Sequence, residues 1–290
     1  MNPQKNLAAI GFMLAATAFI AATTVFAKML GAGPNGLHPV QITQGRFLFA
    51  LIGFSAAAAV IWPRFTRPNL KLHALRSLAG FAGVTLMFTA VQLVPLADAT
   101  ALTFTNPIFA MILAIPILGE RVGPWRWVAA GAAFAGALIL IRPGAGSFEI
   151  GALVALGAAA LMGTEITLLK LLTGREKVFQ ILLLNNTFGL VFSTLAASLV
   201  WQGPTQAQWA LLAALGLTMA TAQVFFIQAM RRGEASFVVL FSYATLIFAT
   251  VYDLVLFDVV PDALSGLGAA VILTGGLLLA WRESRPGRPA

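Results

Sequence analysis

What most limits this chain is a succession of apolar runs, each about as long as a bilayer is thick. An α-helix rises about 1.5 Å per residue, so about 20 apolar residues cross a hydrocarbon core of about 30 Å. Such runs are read at the N-terminal stretch MNPQKNLAAIGFMLAATAFIAATTVFAKML and at 39–61, 73–94, 97–118, 125–142, 150–173, 178–200, 207–230, 235–257 and 263–281. Ten transmembrane helices are therefore predicted. The first has one lysine ahead of an apolar run too long for a signal-peptide core, and no convincing cleavage site, so it is read as a permanent span. The short connection Val94-Pro95-Leu96 also allows one kinked segment in place of two. A composition of 59% hydrophobic against 10% charged residues places the chain outside the soluble globular class. With no cysteine, disulfides, thiolate nucleophiles and Cys-based metal sites are excluded.

A net charge of +8 invites a nucleic-acid reading, but the basic residues are distributed as a membrane topology requires. With the N-terminus cytoplasmic, the inner side receives Lys5, then Arg64, Arg67, Lys71 and Arg76, then Arg121 and Arg126, then Arg175 and Lys177, then Arg231 and Arg232, and finally Arg282, Arg285 and Arg288. These are 14 of the 18 basic residues, while the outer connections hold only Arg142, and Lys28, Arg46 and Lys170 fall within spans. Both termini are expected in the cytoplasm, the lipid bilayer is the expected surrounding, and no nucleic-acid partner is expected.

The chain also repeats itself. Laid over Val224 onward, the stretch from Phe88 places Gln92 on Gln228, Asp98 on Glu234 and, after a small insertion, Glu120 on Asp258. Earlier segments match as well, pairing Gln41 with Gln180, Arg46 with Asn185, Phe49 with Phe188 and Lys28 with Lys170. Five spans per repeat force the second copy to enter from the opposite face. The expected architecture is an all-α integral membrane protein of two inverted five-helix repeats, 1–144 and 145–290, around a central cavity. Inverted repeats give two arrangements that open one site to either side in turn, which is the design of a secondary transporter.

The run PLADATALTFTNPIFAMILAIPILGERVGPWRW, with Asn106-Pro107-Ile108-Phe109 followed by Leu118-Gly119-Glu120-Arg121, resembles the EamA family of the drug/metabolite transporter superfamily over nearly the whole chain. The second half departs from this pattern, with Ser242-Tyr243-Ala244-Thr245 and Leu256-Phe257-Asp258 in the corresponding places. The resemblance implies ten helices, a central cavity and transport of small metabolites across a bacterial-type inner membrane. Amino-acid export is the first expectation for the substrate. Uptake of a cofactor-like compound of the S-adenosylmethionine or riboflavin class is the alternative, and a polytopic membrane enzyme or lipid-related assembly protein is the reading from a different class. An enzyme would cluster acids, histidines or metal ligands at one interface, whereas the polar positions here are spread over both halves at depth. No ATP-binding motif is present, so a gradient or simple equilibration would drive transport.

Site chemistry must come from polar groups inside the spans, because a charge at mid-bilayer costs about 2.5–3.5 kcal/mol on insertion scales. Arg46, with Gln41, Phe47 and Phe49 nearby, suits a substrate carboxylate beside an aromatic wall; a structural ion pair with Asp253 is the plainer account. Glu165, halfway along an apolar helix, is the first candidate to carry a coupling proton, and a neutral carboxyl hydrogen-bonded across helices is the plainer one. Asp253 is the second candidate, its neighbours Tyr252 and Asp258 pointing to an outer vestibule. Lys28 and Lys170 lie near helix ends and are read as snorkelling. Gln92, Asn106, Asn185, Gln228 and Tyr243 complete the candidate substrate-binding set, with Gln44, Asn186, Gln223 and Ser242 as further polar positions; interhelical hydrogen bonding serves equally for these. Pro107 frees a backbone carbonyl about one turn earlier, for a ligand or for a kink.

The pairs Ala132/Gly136 and Gly266/Ala270 are assigned to close helix packing, with a homodimer contact left open. Trp125, Trp127, Trp201, Trp209 and Trp281 are read as interfacial anchors. The glycines of Gly31-Ala32-Gly33-Pro34-Asn35-Gly36 follow a membrane helix and not a strand, so they form no dinucleotide site. His38 and His73 fall on opposite sides of the membrane, and no metal, cofactor or catalytic residue is expected. The charge asymmetry predicts that a reporter fused after Arg288, or inserted between Arg67 and Asn69, reads cytoplasmic, and that one inserted at Gly203-Pro204 reads external; opposite labelling would reverse the topology.

Overall fold

The computed structural model describes residues 3–61, 63, 65–119, 124–141, 150–173, 176–232 and 244–283, which are helical or connecting, with no strand among them. The helices are α1 (Pro3–Gly31), α2 (Pro39–Ile61), α3 (Leu70–Leu93), α4 (Leu96–Thr103), α5 (Asn106–Leu118), α6 (Pro124–Ile141), α7 (Ile150–Thr173), α8 (Val178–Ala197), α9 (Gln206–Arg232), α10 (Ala244–Phe257) and α11 (Ala263–Glu283). Seven stretches among the described residues are long and apolar enough to cross a membrane, one of them the combined α4–α5 stretch Leu96–Leu118; Ala244–Phe257 and Ala263–Gly275 are shorter apolar helices. Each expected span thus coincides with a helix, although the start of the ninth lies outside the described residues. The side chain of Asn69 accepts from Leu72 N at 3.2 Å, so α3 begins at Leu70 and not at 73.

The fourth span corrects the sequence reading of one continuous helix over 97–118. It breaks at Phe104–Thr105, where Phe104 N bonds to both Thr100 O and Ala101 O and Thr105 N to Leu102 O. Three threonine hydroxyls, at 100, 103 and 105, donate back to carbonyls of the preceding turn. Pro107 then stands in the first turn of α5, where its missing N–H costs nothing, and it would have no hydrogen to give the Thr103 carbonyl in an unbroken helix. Gly119 closes α5 in the left-handed conformation, φ 68°, with its N–H bonded to Ile115 O at 3.1 Å. Asp258, φ 53°, follows the end of α10 in the same conformation. Glu120, Arg121 and Glu234 lie outside the described residues.

Packing follows from residue size. Alanine supplies half of the buried apolar side chains among the described residues, including Ala152, Ala155, Ala158 and Ala159 along α7. In a bilayer the lipid tails are as apolar as the helices, so association depends on close backbone approach, which small residues allow. The main seams run α1 against α9, α3 against α7 and α6 against α11, with α2 against both α8 and α9. A central cluster including Val25, Phe88, Val91, Leu96, Leu215, Leu246 and Ile272 joins them. Large apolar residues such as Val60, Leu195 and Val255 face outward.

One of the two small-residue pairs works as expected. A Cβ added at Gly136 would lie 2.7 Å from Gly268 O, so this glycine packs within the chain against α11. Gly266 and Ala270 are exposed instead, and α11 presents the buried Gly268. The tightest test of the seams is Gly163 on α7, where a Cβ would lie 2.7 Å from Asn106 O and 2.8 Å from Ala110 N, both backbone atoms that cannot yield. Gly163→Val should therefore cost about 1–3 kcal/mol through overpacking, read as a lower melting temperature in detergent. Gly11→Ala, with nothing within 4 Å of the added carbon, should leave that temperature unchanged or raise it slightly.

Candidate functional site

Two buried arginines and a half-buried acid come together from α2, α3 and α7. Arg46 and Arg76 are each 5% exposed. Nη2 of Arg76 donates to Glu165 Oε1 at 3.0 Å, and the charges that act on Arg46 are those of Glu165 and Arg76. The Arg46 guanidinium lies 4.6 Å from the centre of the Phe47 ring, which itself packs on Gly189 of α8. Gly80 makes room for the acid: a Cβ there would lie 2.8 Å from the Glu165 carboxyl carbon. Since Arg76 and Gly80 stand one turn apart on the same face of α3, the glycine leaves the gap and the arginine supplies the partner. Ser77, next to Arg76, donates to Asn185 Oδ1 at 3.1 Å and so brings α8 to the same place.

The cluster leaves donors unused. Arg46 Nη1, Arg76 Nε and Arg76 Nη1 are buried without a hydrogen-bond partner among the described residues. Two guanidinium groups against one carboxylate make the site cationic overall. Glu165 is the more accessible member of its pair, its side chain 21% exposed against 6% for Arg76.

Several expectations change. Arg46 is not paired with Asp253: Asp253 is fully buried and does not line an outer vestibule, and it takes Lys28 Nζ at 2.9 Å on one oxygen and Ala97 N at 2.8 Å on the other. A carboxylate thus caps the start of α4, where Pro95 offers no side chain for the purpose. Lys28 does not snorkel, since its ammonium is held by Asp253 and lies 4.2 Å over the Phe257 ring. Lys170, in the last turn of α7, is exposed. Arg76, counted with the inner basic connections, belongs to the buried cluster. Its position inside the expected span 73–94 was the signal for it, absorbed by the charge count.

The other candidates are dispersed. Gln41 is buried but tied to the α8–α9 connection, its Nε2 donating to Gln202 O at 2.6 Å and its Oε1 accepting from Gln202 N at 3.2 Å. Phe49 is half-buried and meets Trp209 edge-on at 6.3 Å. Gln92 packs against Gly31 with its Nε2 unpartnered among the described residues, about 24 Å along α3 from Arg76. Asn106 opens α5, its carbonyl against Gly163, and Gln228 is half-buried on α9. Tyr243 lies outside the described residues. Of the expected site residues, the structure therefore gathers Arg46, Glu165 and Asn185.

A second network closes the end of the molecule that carries the α2–α3 and α7–α8 connections. Glu176 accepts from Asn69 N at 2.9 Å, from His73 Nε2 at 2.8 Å and from Gln180 Nε2 at 2.7 Å, while Gln180 Oε1 accepts from Thr66 N at 2.7 Å. Among the described residues no group of acids and histidines could hold a metal ion.

The EamA-like transporter family model matches residues 7–142 and again residues 149–281. The chain belongs to this family. It is 31% identical over 270 residues, 85% of this chain and 87% of the other, to a riboflavin transporter of Rhizobium johnstonii. It is 26% identical over 279 residues, 95% of this chain and 94% of the other, to an S-adenosylmethionine uptake transporter of Rickettsia bellii. A crystal structure superposes with a TM-score of 0.64, covering 99% of this chain and 100% of that one at 20% identity, and so shares the fold. The chain is a multi-pass membrane protein of a bacterial metabolite-transporter family and not an enzyme. Neither relative is named for amino acids, and the expectation of amino-acid export finds no support in them.

Burial alone would raise the Glu176 carboxyl, but the bonds from Asn69 N, His73 and Gln180 together outweigh it and hold the group below its ordinary value of 4.5. A depressed carboxylate stabilises the fold fully above its unfolded pKa and loses that contribution as pH falls through the lower folded one. The wild-type protein should therefore melt higher than Glu176→Gln near neutral pH, and the difference should shrink below pH 4.5. A difference independent of pH would mean that the ionised form is not what the network holds.

Proposed function

We propose that the chain imports a cofactor-like metabolite of the riboflavin or S-adenosylmethionine class by alternating access, with the substrate bound between α2, α3, α7 and α8. The observation that carries the substrate class is the likeness, along nearly the full length of each chain, to transporters named for those two compounds. The mechanism draws support from how the two matched segments pack. The seam of α1 on α9 corresponds under exchange of the segments to that of α7 on α3, while α2 on α8 and α6 on α11 correspond to themselves. Gly31, ending α1, lies against Gln92 near the end of α3, and Gly151, starting α7, lies against Leu93 and Val94. Equivalent helices α1 and α7 therefore run in opposite directions, as two inverted five-helix halves, 1–144 and 145–290, require.

On this reading the protein sits in the inner membrane with both termini cytoplasmic, and Arg46, Asn185 and Glu165 border the substrate path. Glu165 and Asp253 enter as ion-pair partners and not as proton carriers. The test is uptake of labelled riboflavin and labelled S-adenosylmethionine by cells that lack their own transporters for both, with and without the protein. Accumulation of one compound that is saturable and dependent on the protein is expected. Unchanged uptake of both, together with new efflux of amino acids, would overturn the proposal in favour of export.

A further inference from the structure

We infer that Arg46 and Arg76 form a subsite for the carboxylate of the transported molecule, with Glu165 as the group that receives the cationic part of the same head. The inference rests on the import reading above and narrows its substrate class. Arg46 Nη1, Arg76 Nε and Arg76 Nη1 are buried without acceptors among the described residues. Buried guanidinium hydrogens without partners are costly to retain, and a planar two-oxygen acceptor is the group that their fork geometry fits. Phe47 shields one face of Arg46, leaving its edge for such an acceptor.

The charge count selects among anions. Two guanidinium groups and the Glu165 carboxylate leave one positive charge, which a monoanionic carboxylate neutralises and a phosphate dianion would exceed. The Lys28–Asp253 pair is neutral in itself and joins other helices. Arg76 holds Glu165 through Oε1 alone, and the acid is the more exposed member of the pair, so an ammonium placed beside a bound carboxylate meets it next. An α-amino carboxylate head, as in S-adenosylmethionine, supplies both charges. Riboflavin supplies neither.

Equilibrium binding to the purified protein in liposomes separates the cases, with S-adenosylmethionine, its decarboxylated analogue and riboflavin as probes. S-adenosylmethionine should bind more tightly than the decarboxylated analogue, and Arg46→Gln should weaken it roughly tenfold to a hundredfold while leaving the analogue nearly unaffected. Arg46→Lys, which keeps the charge but loses the fork, should fall between wild type and Arg46→Gln, and it stands in if the glutamine variant does not fold. The double variant Arg76→Gln/Glu165→Gln, which removes the pair without stranding either charge, should lose the same discrimination. Equal affinity for S-adenosylmethionine and its decarboxylated analogue, or riboflavin binding that Arg46→Gln leaves untouched, overturns the carboxylate subsite while the import reading stands. Failure of all three probes to bind the folded wild type overturns both.

Discussion

An ionic side chain in the interior of a bilayer must find its counter-charge within the protein, and in this molecule it finds it across the two segments that match the family. Lys28 pairs with Asp253 and Arg76 with Glu165, while His73 bonds Glu176 at the end of the molecule, and each of these contacts joins a residue of 7–142 to one of 149–281. Other polar ties cross in the same way: Gln41 to Gln202, Thr66 to Gln180, Ser77 to Asn185 and Gln208 to Asn35. Breaking one partner of a buried pair leaves an uncompensated charge and costs about 3–5 kcal/mol. The two segments are thus held in register by directional bonds, while apolar packing, which lipid could replace, supplies fit rather than address.

The same bonds account for local structure that helix propensity does not. α4 begins at a proline and has no side-chain cap of its own; a carboxylate from α10 caps it, and that carboxylate is fixed in turn by a lysine from α1. Gly80 has no turn to make, yet it decides where Glu165 sits, because any side chain there would occupy the carboxyl's place beside Arg76. Position along the sequence gives no hint of either arrangement, since the partners stand 156 and 89 residues apart.

This separates what was legible in the sequence from what was not. Helix positions and family were legible because each depends on local quantities: the length of an apolar run, a Gly119 able to turn left-handed, a recurrent order of residues. The break at Phe104–Thr105 was half legible, Pro107 giving the freed carbonyl but not the threonines that terminate α4. Pairings were not legible. Arg46 and Asp253 both looked like unsatisfied intramembrane charges and were matched to each other, although Lys28, apparently free to reach water, was the partner of Asp253. Arg76 was missed because a basic residue near a cytoplasmic loop satisfies the positive-inside pattern whether it faces water or a buried acid.

Two kinds of seam therefore coexist, and they set different limits on change. Along α5 and α7 or α6 and α11, alanine and glycine hold backbones so close that an added carbon meets main-chain atoms, as at Gly163 and Gly136; such a seam tolerates little variation and says nothing about cargo. Where α2, α3, α7 and α8 meet, the contacts include long side chains whose donors are not all used, so exchanging one residue there changes charge and hydrogen bonding rather than backbone approach. A fold that fixes the first seam and leaves the second open can be kept while its substrate changes. Relatives at 31% and 26% identity are named for a flavin and for a sulfonium nucleoside, and on the proposed import reading selectivity would fall to the second seam, where a change of one charge has to be matched by a change in its partner.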